Sequence, residues 1–333
     1  MATLYCRSCV KNRYDEDSVR IRPARNSRPR SKDRPSHDSA QAALVTTIDR
    51  GRYTCVLLGQ LDHELTAITA RELGKSAVVV GDRVDLVGDL SGAPGSLARI
   101  VRVQDRSSSL RRTADDTEGT ERLLVANADQ LAIVVAAAQP DPQPRLIDRC
   151  LIAGLNEKMK IILIITKTDL TEPTELIAAY QDLVSQIIMT TKNIDLTELR
   201  NSLAGHVTVL VGSSGVGKST LVNALLPNAA RRTGDVNEVT GRGRHTSTSA
   251  EAIALDDNTW IIDTPGIRTF GIAHVSSATL AEAFPDLTDY LANCLKSCQH
   301  DQPDCGLTQI PESNQKLVTR ADSLRRLIVS KSN

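Results

Sequence analysis

Aromatic side chains are scarce, with one Trp, five Tyr and two Phe in 333 residues. Only Tyr53 falls between residues 42 and 105, a stretch with seven basic and eight acidic side chains. That excludes an aromatic stacking platform for single-stranded nucleic acid there. Net charge is also missing: 40 Lys and Arg balance 40 Asp and Glu, so global charge points to no polyanionic partner. The sequence has no apolar run long enough to span a bilayer and no apolar N-terminal stretch, so neither a membrane anchor nor a secretory leader is expected. A cytoplasmic protein is the expectation. The seven cysteines, Cys6, Cys9, Cys55, Cys150, Cys294, Cys298 and Cys305, are an odd set, and in a reducing compartment they read as metal ligands or buried thiols rather than a disulfide framework.

What is present centres on Gly212-Ser213-Ser214-Gly215-Val216-Gly217-Lys218-Ser219, a full match to G-x-x-x-x-G-K-[ST]. An apolar β-branched run, Val207 to Val211, precedes it and a helix-like segment to Leu226 follows. The glycines allow backbone N–H groups and a helix N-terminus to wrap a phosphate. Lys218 would reach the β- and γ-phosphates, Ser219 would hold Mg²⁺, and Thr220 would touch an inner phosphate. Downstream, Asp263-Thr264-Pro265-Gly266 is a D-x-x-G at a strand end, with Asp263 reaching Mg²⁺ through water and the Gly266 N–H meeting the γ-phosphate. Upstream, Thr166-Lys167-Thr168-Asp169 is a variant of the N-K-x-D base-reading loop. The Asp169 carboxylate can accept two hydrogen bonds from the guanine N1–H and N2–H₂ edge, which adenine cannot supply, so GTP and GDP are the expected nucleotides. The base loop precedes the phosphate loop here, the reverse of the usual order, which implies a circularly permuted sheet.

Between the phosphate loop and the D-x-x-G lies the glycine-rich segment 240–249, where Thr246 or Thr248 would donate a hydroxyl to Mg²⁺. Ile267 stands where many GTPases carry a water-orienting Gln. His245 is the candidate to orient that water, with a solvent-facing or RNA-contacting histidine as the alternative.

The rest of the chain divides by composition. Residues 1–40 lack periodicity, and Arg20 to Arg34 hold seven basic residues and one acid, which reads as a disordered tail suited to phosphate backbones or merely to solubility. From 42 to 105, short β-rich runs at 43–48, 53–58, 65–70, 77–80, 83–87 and 98–103 predict a small barrel of the OB type. A polar link over 105–122 leads to alternating strands and helices, with helices at 145–158, 173–188, 196–204 and 217–226, so a parallel sheet covered by helices is expected for 106–272. In 273–333, Cys294, Cys298, His300 and Cys305 place four soft ligands within twelve residues, a closed tetrahedral set for structural zinc. Helices are predicted at 278–284 and 314–329.

Together, Val80-Gly81-Asp82-Arg83-Val84, Asn127-Ala128-Asp129-Gln130, Leu146-Ile147-Asp148-Arg149, the two nucleotide loops, Gly243-Arg244-His245-Thr246, the stretch Asp263 to Gly271 and the Cys-Cys-His-Cys cluster resemble the RsgA (YjeQ) family of circularly permuted GTPases. The resemblance covers residue 42 to the C-terminus. It implies a multidomain chain: an N-terminal OB-fold β-barrel, a central α/β P-loop GTPase and a small C-terminal α-helical zinc-binding domain. It further implies GTP hydrolysis stimulated by the small ribosomal subunit, rRNA as partner, a part in late maturation of that subunit, and His245 as the catalytic position. A monomer is expected. The sequence departs from the family pattern in the cluster spacing, Cys-x₃-Cys-x-His-x₄-Cys, shorter by one residue at two gaps, and in the guanine-supporting segment, present only as Thr190-Thr191-Lys192. The alternative reading is a nucleotide-gated rRNA-binding module with incidental hydrolysis.

Overall fold

The computed structural model describes residues 37–73, 78–113, 121–191, 195–226, 250–264, 270, 272, 274–295, 298–300 and 302–332. The tail through residue 36, Lys192, His245, Thr246, Thr248 and Gly266 lie outside them.

Alternation of small apolar and polar residues builds the first unit. Strands β1 (Gln41–Asp49), β2 (Arg52–Leu57), β3 (Glu64–Thr69), β4 (Arg83–Gly88) and β5 (Ala98–Val103) pair in the order β1-β2-β3-β5-β4, and β4 closes onto β1. Every second side chain points inward: Ala43 and Val45, Cys55 and Leu57, Leu65 and Ala67, Val84 and Leu86, Ala98 and Ile100. The long β1 pairs with β2 and β4 and, at Thr47, with Glu251, and its ladder with β2 shifts register between Val45 and Thr47. The parallel β3–β5 pair completes the OB-type barrel. Of the run expected at 77–80, the described residues 78–80 form no strand. Val80 makes one isolated bridge to Val125, and the chain then turns at Gly81, φ +87°, where a Cβ would lie 2.1 Å from the Ala126 carbonyl oxygen. Next to it the fully buried Asp82 accepts from Arg106 Nε at 2.7 Å and Nη2 at 2.8 Å.

The expected polar link after the barrel instead carries a hairpin, β6 (Ser109–Thr113) and β7 (Glu121–Ala126), because Leu110 and Val125 bury in the main core. Beyond it, β8 (Gln130–Ala136), β9 (Lys160–Thr166), β10 (Gln186–Met189), β11 (Val207–Val211), β12 (Glu251–Ala254) and β13 (Trp260–Asp263) order as β10-β9-β8-β11-β13-β12, all parallel except β12. β8 is buried at every position, as a central parallel strand covered on both faces must be. Leu131, Ile133 and Val135 pack in one core with Ile147 and Leu151 of helix α1 (Pro144–Asn156). Ala132, Val134 and Ala136 face the other core, with Leu199 and Leu203 of α3 (Thr197–Leu203) and Leu221 and Leu225 of α4 (Lys218–Leu225). The helix expected over 173–188 stops early: α2 (Thr174–Tyr180) ends and Gln186–Met189 joins the sheet beside β9, where Ile188 finds a buried place. One pair, Thr47 with Glu251, links barrel and sheet.

The C-terminal part is helical, with α5 (Ser277–Glu282), α6 (Thr288–Leu291) and the long α7 (Gln315–Ser332), which packs against α1 and α5. Among the described residues no helix is long and apolar enough to cross a membrane.

Candidate nucleotide and metal sites

Three loops meet at the carboxyl ends of neighbouring strands. β9 ends at Thr166, β11 runs into Gly212 and β13 ends at Asp263, with β8 between β9 and β11. Doubly wound sheets bind nucleotides at this edge. The phosphate loop depends on its glycines. Gly215 and Gly217 sit at φ +82° and +98°, and a Cβ on Gly212 would lie 2.2 Å from the Val134 carbonyl oxygen. Gly217 is the N-cap of α4, so the first N–H groups of that helix open toward the loop. Lys218 curls back to donate to the carbonyls of Gly212 at 2.5 Å and Ser213 at 3.3 Å, and burial holds its pKa below the ordinary lysine value. Ser219 and Thr220 are exposed on the first turn, as are Ser214 and Gly215, while Val216 is buried.

The base loop is tied to this cradle by the residue that departs from the usual Asn. Thr166 is 6% exposed, and its Oγ1 donates to the Val216 carbonyl at 2.5 Å, with the Val135 carbonyl at 3.3 Å. Lys167, in a left-handed conformation, donates to the Gln139 carbonyl, and Thr168 N–H donates to Thr190 O at 3.4 Å. Beside these residues lies a cavity of about 330 Å³, bordered by Asp169, Thr190, Thr191, Thr220 and the leucines Leu170, Leu196 and Leu221. Its size and mixed lining suit a purine, with Asp169 exposed at its rim. The leucines belong to no motif; their apolar character on both sides of the loops was the available signal.

Asp263 carries the charge of the third loop. Among the described residues its Oδ1 is buried without a hydrogen-bond partner, and burial raises its pKa against the opposing pull of Lys218. A buried, unpaired carboxylate oxygen is costly unless a cation satisfies it. With an exposed Ser219 hydroxyl on the first turn of α4, this donor chemistry fits a hard oxygen-liking ion such as Mg²⁺. Thr264 only anchors the strand end, donating to Leu210 O at 2.6 Å.

The second cluster lies between α6 and α7. The ligand atoms of Cys294, Cys298, His300 and Cys305 all lie within 4.8 Å of one another. Cys294 Sγ is 3.8 Å from Cys305 Sγ, and His300 Nδ1 is 3.6 and 3.7 Å from those sulfurs. Bonds of about 2.3 Å to a tetrahedral ion require edges of about 3.8 Å, so the set can bind a metal ion. Backbone N–H groups of His300 and Leu307 donate to Cys298 and Cys305 sulfurs, the support that thiolates need. By contrast Cys55 and Cys150 are buried alone, each pushed up to about 12 by desolvation.

The RsgA GTPase family model matches residues 103–273. A relative from Nitrosospira multiformis named Small ribosomal subunit biogenesis GTPase RsgA is 34% identical over 293 residues, covering 86% of this chain and 87% of that protein. One of the same name from Pseudomonas aeruginosa is 37% identical over 264 residues, 76% of each. Two solved structures share the fold: YjeQ from Thermotoga maritima, with TM-score 0.65 and 24% identity over 88% of this chain and 99% of that one, and YloQ, described as a circularly permuted GTPase, with TM-score 0.60 and 20% identity over 90% and 98%. With a matching family model over half its length and relatives covering most of the remainder, the chain belongs to the RsgA GTPase family.

Proposed function

We propose that this protein is a cytoplasmic, monomeric GTPase that binds the small ribosomal subunit, assists its late maturation, and hydrolyses GTP to GDP and phosphate faster when the subunit is bound. The observation that carries the reading is the convergence of a phosphate loop, a guanine-type base loop and an unsatisfied buried carboxylate on one sheet edge. The names of the relatives supply the ribosomal partner. In this reading Asp169 selects guanine, the loop 212–220 and Lys218 hold the phosphates, and the Gly266 N–H meets the γ-phosphate. Ser219, Asp263 and either Thr246 or Thr248 would hold Mg²⁺, which when bound neutralises charge on the β- and γ-phosphates. His245 positions the attacking water. With no Gln after the D-x-x-G, the unaided rate is slow and rises when the partner is bound.

The chain partitions into a barrel at 42–105, a GTPase domain at 106–272 and a domain at 273–333 whose Cys₃His set holds one structural zinc. The barrel and tail contact rRNA, the barrel through shape and backbone because it lacks stacking aromatics. GTP turnover by the purified protein, alone and with small or large ribosomal subunits, tests the proposal. Strong stimulation by small subunits alone is expected; equal slow turnover in all three mixtures would remove the ribosomal partner.

A further inference from the structure

A buried carboxylate within reach of the nucleotide loops that the nucleotide reading leaves without a task is Asp148, 2% exposed on the second turn of α1. It is far from orphaned. Tyr180 Oη donates to its Oδ1 at 3.2 Å, Ser330 Oγ donates to its Oδ2 at 3.1 Å, and Arg326 Nε lies 3.3 Å from Oδ1 as a charge contact. Arg326 also lies over the Tyr180 ring, 4.8 Å from its centroid, and donates from Nη2 to Ala179 O at 3.5 Å. So a single carboxylate joins α1, the end of α2 and the last two turns of α7.

The first turn of α1, directly before Asp148, lies against the phosphate loop. Leu146 and Ile147 border the same narrow gap as Gly212, Ser213 and Val216 of the phosphate loop. The N-cap residue Gln143 accepts from Ser213 Oγ at 3.5 Å, and the preceding Gln139 carbonyl accepts from Lys167 of the base loop. Arg149, next to Asp148, donates from Nη2 to Phe270 O at 3.4 Å, just beyond the D-x-x-G. Helix α1 and the segment leading into it thus touch the phosphate loop, Lys167 of the base loop and Phe270 beyond the D-x-x-G, and α7 meets that helix through apolar packing and one buried charge.

We infer that Asp148 is a positioning residue for the nucleotide site, and that Arg326 and Ser330 of α7 hold it in place, so this one α7 contact, rather than the seating of α7 as a whole, sets nucleotide affinity. This rests on the nucleotide-site reading above. The two partners are unequal: removing Arg326 strands a carboxylate that is 3% exposed, whereas neutralising Asp148 leaves an arginine whose Nε is buried but whose side chain as a whole is 35% exposed.

The test compares wild type with Arg326→Gln, Asp148→Asn, the double variant, and Arg320→Gln, a change on the same helix whose side chain pairs with Asp286 rather than with α1. Equilibrium binding of a fluorescent GDP analogue, steady-state GTP kinetics, melting temperature and bound metal are measured on each. Arg326→Gln should weaken GDP binding about 3- to 10-fold and raise KM for GTP similarly, with kcat within about twofold and metal retained. Asp148→Asn should weaken GDP binding less, and the double variant should bind no worse than Arg326→Gln alone. Arg320→Gln should lower the melting temperature while GDP affinity holds. Unchanged GDP affinity in folded Arg326→Gln, or equal loss in Arg320→Gln, overturns the inference. If Arg326→Gln does not fold, Asp148→Asn against Arg320→Gln decides it in the same way. Failure of the wild type to bind GDP at all would overturn the nucleotide reading itself, and this inference with it.

Discussion

Two regions of this molecule each bury an aspartate, and they treat it in opposite ways. At the loop edge of the sheet, Asp263 keeps an oxygen with no partner among the described residues, near a lysine that is itself buried. At the α1–α7 contact, Asp148 has a tyrosine, a serine and an arginine around it. Burial raises the pKa of both. One region thus leaves a carboxylate oxygen for a ligand to meet, and the other is already partnered by protein groups. Unsatisfied burial marks where a cation and phosphates belong, and satisfied burial marks where elements are held together.

The comparison breaks most visibly at Asp263. Asp263→Asn should lower GTP turnover at least about 100-fold, because the carboxylate would organise the metal. The same change should raise, or leave unchanged, the melting temperature of the nucleotide-free protein in EDTA, since it removes an uncompensated charge. The pH dependence has a definite sign. A carboxyl whose folded pKa lies above its ordinary value of 3.8 favours folding below that value and loses this contribution as pH rises through the raised one. The stability advantage of Asp263→Asn over wild type should therefore grow from acid to neutral pH, read from melting curves in EDTA. A lower melting temperature at neutral pH would mean that the carboxylate is satisfied after all.

A smaller effect is expected where the protein has substituted one residue for another in a known role. Thr166→Val keeps the shape and removes the hydroxyl that ties base loop to phosphate loop, leaving the Val216 carbonyl short of its donor. A loss of about 1 kcal/mol, or about fivefold in GDP affinity, should follow, with Thr166→Ser near wild type. Equal binding by the valine variant would show that the Val216 carbonyl has other support. The mildest test concerns the thiols. Chelation of bound metal in the folded protein should expose three more reactive thiols at pH 8, those of Cys294, Cys298 and Cys305. Cys55 and Cys150, pushed up to about 12, should stay unlabelled until unfolding. A gain other than three, counted by mass after alkylation, would redraw the ligand set.

Much of the loop edge is legible in the order of residues along the chain. Glycines at fixed spacing followed by Lys218 and Ser219 have few other reasons to occur together, and the apolar runs at 160–165, 207–211 and 260–262 could only be strands leading into them. The four soft ligands near the C-terminus are equally plain, because they lie close in sequence. Leu170 and Leu196, on the border of the base cavity, are not, since a leucine in a loop carries no mark of what it faces. The helix expected to reach 188 ends at Tyr180 because an edge beside β9 is open to Ile187 and Ile188, and a propensity summed along the chain cannot include a neighbour that is distant in sequence.

The sequence by itself determined the local chemistry: which loop can wrap phosphate, which carboxylate can read guanine, which side chains can hold a soft metal, and the alternation that makes a barrel and a parallel sheet. These are properties of residue type and spacing over a few turns of chain. Only the tertiary structure decided that Asp148 is satisfied while Asp263 is not, because Ser330 lies 182 residues beyond Asp148 and no local pattern announces that partner. Solvation and pairing of a buried charge depend on everything packed around it, and that is known only once the chain has closed on itself.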